Sequence, residues 1–273
     1  MGPNSAFFFP PMKRRTFVKT SISACLGGTA VLSNASASDS GKTESRENYV
    51  LRTYSLKPEK QPILDDYLRW ALLPALKRIG SGPIGVFYEK TDSSFAVHVL
   101  IVFHSADQAA TFSERLAADV EHQKAGAAYL AAVAADPVYE RIEASLLGAI
   151  ASIPKLEKPD ASKPRLLNLR IYESHNERAA QKKIEMFNEH ELPIFRRVGL
   201  TPVFFGETLI GPRMPNLTYM LVFPDDAARK AAWGRFGPDP EWIKLKSIPE
   251  FADKEIVSHI TNKILIPAEY SEI

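Results

Sequence analysis

A near-repeat constrains what this chain can become. Leu51-Arg52-Thr53-Tyr54 opens one stretch, and Leu169-Arg170-Ile171-Tyr172 opens another 118 residues later. Each opening leads into an amphipathic segment with a proline (Pro74, Pro193), then a glycine (Gly80, Gly199), then an apolar run behind a further proline (Pro83, Pro202), all at an offset of 119. Two runs ending in Val-Phe follow at an offset of 120, Val99 to Phe103 and Tyr219 to Phe223. Tyr129 and Trp242, Ser145 and Ser258, and Pro154 and Pro267 then match at 113. Loop insertions and deletions cause drift of this size, and two copies are too few for a solenoid. A chain of 273 residues with 45% hydrophobic content supports two units of roughly 110 residues, each large enough for its own core.

Composition narrows the partners. Lys and Arg total 34 against 32 for Asp and Glu, a net charge of +2, and no basic block interleaved with aromatics lies inside the repeats. Nucleic acid is therefore not an expected partner. No apolar run after residue 40 approaches the ~20 residues needed to span a bilayer. The mature chain is expected to be soluble.

The amino terminus reads as an export signal. Lys13-Arg14-Arg15-Thr16-Phe17-Val18-Lys19 is followed by a weakly apolar segment from Ile22 to Leu32 and by Ala35-Ser36-Ala37. A basic region, a modest apolar region and a small-x-small site make a signal peptide over residues 1–37, and the arginine pair indicates the twin-arginine route in a bacterium. Met12 is the expected start, because such signals begin at their basic region. Cys25, the only cysteine, follows Ile22-Ser23-Ala24 and offers lipidation as an alternative, though its apolar lead-in is short. Residues 38–47 form a polar tether.

Within a repeat, residues 49–55 read as a strand. Pro58 starts a helix whose apolar positions, Ile63, Leu64, Tyr67, Leu68, Ala71, Leu72, Leu76 and Ile79, recur at helical spacing up to Gly80. Residues 84–90 and 95–103 form a hairpin across a turn at 91–94. A helix over 109–120, capped by Ser105 or Asp107, a short helix over 127–135 and a strand over 139–150 complete the unit. The second copy places strands at 166–173, 202–210, 217–223 and 254–266, with helices at 177–198 and from Asp225 and Pro240. The order β-α-β-β-α-β is the ferredoxin-like plan, an α+β fold. Residues 48–154 and 165–273 are the two domains, and the proline-rich stretch 155–164 is the linker. Both faces of the strands carry bulky residues, so the two sheets are expected to face each other and close an intramolecular barrel around a cavity.

With the repeat, its LRxY opening, the prolines and glycines at the first helix end, and Asp239-Pro240-Glu241-Trp242, the chain resembles the NIPSNAP family. The resemblance covers residues 48–268 and is stronger in the second copy, since Gly126-Ala127-Ala128-Tyr129 stands where the second copy has Asp-Pro-Glu-Trp. It implies the dimeric α/β barrel fold, whose more distant members include cofactor-free monooxygenases and haem-binding proteins.

Asp239-Pro240-Glu241 is what a helix start prefers, with Trp242 as core. Arg52 with Tyr54, and Arg170 with Tyr172, share strand faces. Should those faces line the cavity, they would offer a ligand two guanidinium–tyrosine pairs. The structural alternative pairs the arginines with Glu89 or Glu207. Arg141 and Glu143 lie on one face of a later strand and extend the candidate binding set. His98, His190 and Tyr172 are the candidates for handling a proton. The six histidines show no metal-binding spacing, no glycine-rich phosphate loop or GxSxG is present, and no cofactor is expected. The leading expectation is an exported protein of unknown activity that binds a small molecule or a partner through the intersheet cavity or outer helices. The alternative is a cofactor-independent enzyme, with haem binding as a third reading. A monomer is expected, because two repeats suffice to complete one barrel.

Overall fold

The computed structural model describes residues 45–89 and 95–273. The export signal, Cys25, the Met12 start, most of the tether and the turn at 91–94 lie outside the described residues.

The first repeat runs β1 (Asn48–Ser55), α1 (Gln61–Tyr67), α2 (Leu73–Arg78), β2 (Ile84–Glu89), β3 (Ala96–Phe103), α3 (Ala106–Ala118), α4 (Val120–Ala125), α5 (Ala127–Leu130) and β4 (Arg141–Ala149). The second runs β5 (Leu166–Glu173), α6 (Glu177–Met186), α7 (Leu192–Val198), β6 (Thr201–Ile210), β7 (Asn216–Phe223), α8 (Asp226–Phe236), α9 (Pro240–Lys246), α10 (Asp253–Ile256) and β8 (His259–Pro267).

All pairings are antiparallel. Each repeat makes a four-stranded sheet, β2-β3-β1-β4 and β6-β7-β5-β8, and the sheets join edge to edge through β2–β8 and β4–β6 into one closed barrel. Closure removes the unpaired backbone that a lone sheet would expose at its edges. Helices cover the outside, where one apolar core per repeat lies between helix and sheet. A third core fills the barrel interior from both repeats: Tyr49, Leu51, Leu100, Val102 and Leu147 meet Leu167, Leu169, Phe204, Met220 and Leu265.

Local chemistry explains the details. Ser105, Asn176 and Asp225 cap their helices by accepting a hydrogen bond from the backbone N–H three residues on. Asp239 caps α9 by accepting from the N–H groups of Glu241 (3.0 Å) and Trp242 (3.1 Å), and Trp242 is buried against Phe236, as its motif predicts. In the first repeat Tyr129 stacks on Tyr67, with ring centroids 3.8 Å apart. Gly199 adopts φ +88° as the left-handed cap of α7.

Several boundaries differ from the sequence expectation, among them the short helix expected over 127–135, which ends at Leu130. The helix over 177–198 is interrupted by a π turn at Phe187–Glu191, and Leu68–Leu72 is its counterpart between α1 and α2. Each π turn precedes a Leu-Pro pair. A proline ring clashes with the carbonyl four residues back and supplies no N–H, and one wider turn relieves both problems. The last strand starts at His259, because Asp253–Ile256 forms a helical turn that buries Ile256. The first repeat's last strand is confined to Arg141–Ala149.

Candidate functional site

Strand parity decides what the barrel holds. Thr53 pairs with His98 in register, Phe87 pairs with His98 on the other side, and Glu89 pairs with Leu265. Thr53, His98, Glu89 and Lys263 therefore come from four neighbouring strands and point to the same side of the sheet, into the barrel. They form a polar layer at one mouth, above the apolar interior. Thr53, His98 and Lys263 line a small recess of about 70 Å³ there, together with Glu143, Ser145, Arg213, Asn216 and Thr218.

The layer is hydrogen-bonded throughout. His98 is 1% exposed. Its Nε2 lies 3.1 Å from Glu89 Oε2, and its Nδ1 lies 3.0 Å from Thr53 Oγ1. Lys263 Nζ donates to the same Glu89 oxygen at 2.6 Å. The hydrogen bond to His98, reinforced by Lys263, outweighs burial and holds the Glu89 carboxyl at a pKa of about 2. Burial pushes the His98 pKa below its ordinary value. An ionised Glu89 can only accept, so neutral His98 carries its proton on Nε2, and its bare Nδ1 accepts the Thr53 hydroxyl proton.

The opposite wall is equally ordered. Asn216 Oδ1 accepts from Thr208 Oγ1 (2.6 Å) and Thr218 Oγ1 (2.9 Å), while its Nδ2 donates to the Arg213 carbonyl at 3.0 Å. Arg213 sits at φ +60°, a conformation that a non-glycine residue adopts at some cost. The Asn216 bonds hold it there, and its guanidinium donates to Thr261 Oγ1 at the rim.

The sequence candidates divide accordingly. His98 and Glu143 line the recess, and Glu89 lies behind it, bonded to His98 and Lys263. Arg52 and Tyr54, and Arg170 and Tyr172, have the opposite parity and face the helices, correcting the expectation that they line the cavity. Arg52 lies over the Phe112 ring at 4.7 Å. Arg170 lies over Trp233 at 4.5 Å and donates to Asn262 Oδ1 at 3.1 Å, so neither arginine takes the Glu89 or Glu207 pairing considered as its alternative. Tyr172 Oη accepts from Tyr219 Oη at 2.8 Å. Glu207 also faces outward, accepting from Gln181 at 2.6 Å. Arg141 shares the parity of Glu143 but stands two residues further out, exposed, and does not line the recess. His190 lies on the outer helices, 3.6 Å from Glu189 and edge-on to Phe251. It does not meet His98.

Sequence reasoning missed Thr53, Lys263, Thr218 and Asn216, which lie on strand faces that alternation alone does not orient. It also missed a buried ion pair beneath the second repeat's helices, Lys183 to Glu191 at 2.8 Å. Tyr172, Phe187 and Trp242 surround that ammonium, with Phe187 nearest at 4.8 Å. The signal was present: Lys183 stands four residues from both Ala179 and Phe187, on the apolar stripe of its helix.

The NIPSNAP profile matches residues 49–147 and 167–272, once for each repeat. The chain belongs to the NIPSNAP family. Among solved structures, this NIPSNAP chain is similar to a protein from Lactobacillus acidophilus provisionally named a monooxygenase (10% identity, 81% of this chain and 94% of that one, TM-score 0.54). A protein of the same provisional name from Fusobacterium nucleatum matches at 8% identity over 82% and 93%, with a TM-score of 0.52. A NIPSNAP-like protein from Burkholderia xenovorans matches at 20% identity over 39% of this chain and 88% of its own, with a TM-score of 0.36. The first two show that the fold is shared. No match is found among curated proteins. Among the described residues, no helix is long and apolar enough to cross a membrane.

Proposed function

We propose that this NIPSNAP protein binds a small, neutral, hydroxylated molecule at the mouth of its barrel, as a monomer exported by the twin-arginine route. The observation that carries the reading is a hydrogen-bonded polar layer inside a barrel whose remaining interior is apolar. Burying such groups costs free energy unless they are satisfied, and a barrel closed only for stability has no need of them. The charges of the layer favour a neutral ligand. Glu89 already neutralises Lys263, and the recess is lined by one further charge of each sign, Arg213 and Glu143, so a charged ligand would meet no net opposite charge. Hydroxyls from Thr53, Ser145 and Thr218 match a molecule that both donates and accepts.

A thermal-shift screen of residues 38–273 against glycerol, erythritol, small sugars and their uncharged derivatives tests the binding. A ligand at a hundredfold over its Kd should stabilise the protein by about 2.7 kcal/mol. Ser145→Leu, which fills the recess, should abolish that gain. Stabilisation that persists in Ser145→Leu would remove the recess as the site. Export is tested separately: Arg14→Lys/Arg15→Lys should leave the precursor in the cytoplasm of a bacterial host, and unchanged export would exclude the twin-arginine route.

A further inference from the structure

We infer that Thr53, His98 and Glu89 form a hydroxyl–imidazole–carboxylate relay that makes Thr53 an acyl acceptor, so that the recess cleaves short-chain acyl esters of the small hydroxylated molecules proposed above. The inference rests on that binding reading and extends it from binding to chemistry. Its geometry is that of an activated nucleophile: hydroxyl to imidazole at 3.0 Å, imidazole to carboxylate at 3.1 Å, in one line of hydrogen bonds. A relay of this kind is recognised by geometry and roles, whatever the fold or the chain order. Here the roles of the two ring nitrogens are set by the ionised Glu89, which demands the Nε2 proton and leaves Nδ1 as the base.

A structural hydrogen bond between Thr53 and His98 would need no access to solvent and no third partner. Both residues nevertheless line the recess, and Glu89 is itself held in place by Lys263. A lysine ammonium carries three N–H groups, so after one is given to Glu89 two remain for the oxygen of an acyl carbonyl. Neutral esters suit the balanced charge of the mouth. The small recess limits the acyl group to a few carbons, with the alcohol portion directed outward.

The chemistry balances without a cofactor. Thr53 Oγ1 bonds to the acyl carbon as its proton passes to His98 Nδ1, and the resulting imidazolium is stabilised by Glu89. The carbon–oxygen bond to the alcohol breaks, and the leaving oxygen takes that proton. Water then attacks the acyl-Thr53 ester with His98 again as base, which releases the acid and restores the hydroxyl. Thr53 and His98 are the catalytic residues of this scheme, and Glu89 is a positioning residue.

The test uses the full chain and 4-nitrophenyl acetate. A burst of nitrophenolate is expected, with an acetyl group on the Thr53 peptide in the mass map. Thr53→Ser should keep the reaction, whereas Thr53→Val and His98→Gln should each slow it by about a hundredfold or more. Glu89→Gln should move the pH dependence of the burst as well as slow it, which a merely structural contact would not do. Acetyl groups found on lysines alone, or equal rates in Thr53→Val, would overturn the relay. Polyol stabilisation that survives alongside either of those results would leave the binding reading standing without its chemistry. Loss of the polyol effect would remove the binding reading itself.

Discussion

At the residue scale, the mouth of the barrel couples stability to pH through two groups. Glu89 has its pKa lowered to about 2 by hydrogen bonds from His98 and Lys263, and burial lowers that of His98 from 6.5. For both, the unfolded chain takes up protons first as pH falls. Stability should therefore be full above pH 6.5, decline below it as the unfolded histidine protonates, and fall again from pH 4.5 towards 2 as Glu89 loses its advantage. The Glu89 contribution is about 2 kcal/mol, reduced from the full pKa difference because the mouth is open to solvent. Urea denaturation across pH should show both phases in the wild type, and the one between 4.5 and 2 should shrink in Glu89→Gln. An unchanged acid limb in that variant would dissociate Glu89 from acid stability. His122 provides a contrast within the same molecule. Its Nδ1 donates to the Leu116 carbonyl at 2.9 Å and its Nε2 accepts from Tyr67 Oη at 3.2 Å, beneath the helices and away from the recess.

At the element scale, the π turn at Phe187–Glu191 makes room for more than Pro193. It brings Glu191 into contact with Lys183, eight residues earlier, on the buried side of the helix. Burial pushes the Glu191 carboxyl above its usual range, while that carboxyl holds the Lys183 ammonium protonated. Removing one partner strands a charge in an apolar environment. Lys183→Met should therefore cost about 3–5 kcal/mol, whereas Lys183→Met/Glu191→Leu should recover most of that loss or exceed the wild type. Chemical denaturation of the two variants checks this, and equal destabilisation in both would show that the pair contributes through packing rather than charge. The first repeat has the same π turn without the ion pair, since Leu64, Leu68 and Leu72 fill its buried side.

At the scale of the whole molecule, the two repeats cannot be separated without opening the barrel. The interior core draws on both repeats, and the β2–β8 and β4–β6 ladders are made only when both are present. The Ile273 side chain reaches the same interior core and lies against Gly85, so the last residues of the second repeat pack on a strand of the first. Residues 45–154 and 165–273 expressed as separate chains should each associate or aggregate rather than remain monomeric, and when mixed they should form a one-to-one complex. Size-exclusion chromatography with light scattering distinguishes these outcomes. Two well-behaved monomers that ignore each other would show that each sheet is stable with its inner face uncovered.

The duplication, the element order and barrel closure were legible in the sequence, because each depends on short-range periodicity or on symmetry between copies. The Asp239 cap and the Trp242 core position were legible for the same reason. The identity of the inner face was not. A strand alternates its side chains with period two, and when both faces carry bulky residues the pattern is the same whichever face is inside. Arg52 and Arg170 therefore looked as eligible for the cavity as Thr53, until the paired registers turned one set toward the helices and the other into the barrel. His98 and Glu89 could be singled out by residue type. Their joining to Thr53 and Lys263 could not, because β1, β3 and β2 meet only in the tertiary pairing of the first repeat's sheet, which sets the tautomer, and Lys263 reaches Glu89 only when the β2–β8 ladder closes the barrel.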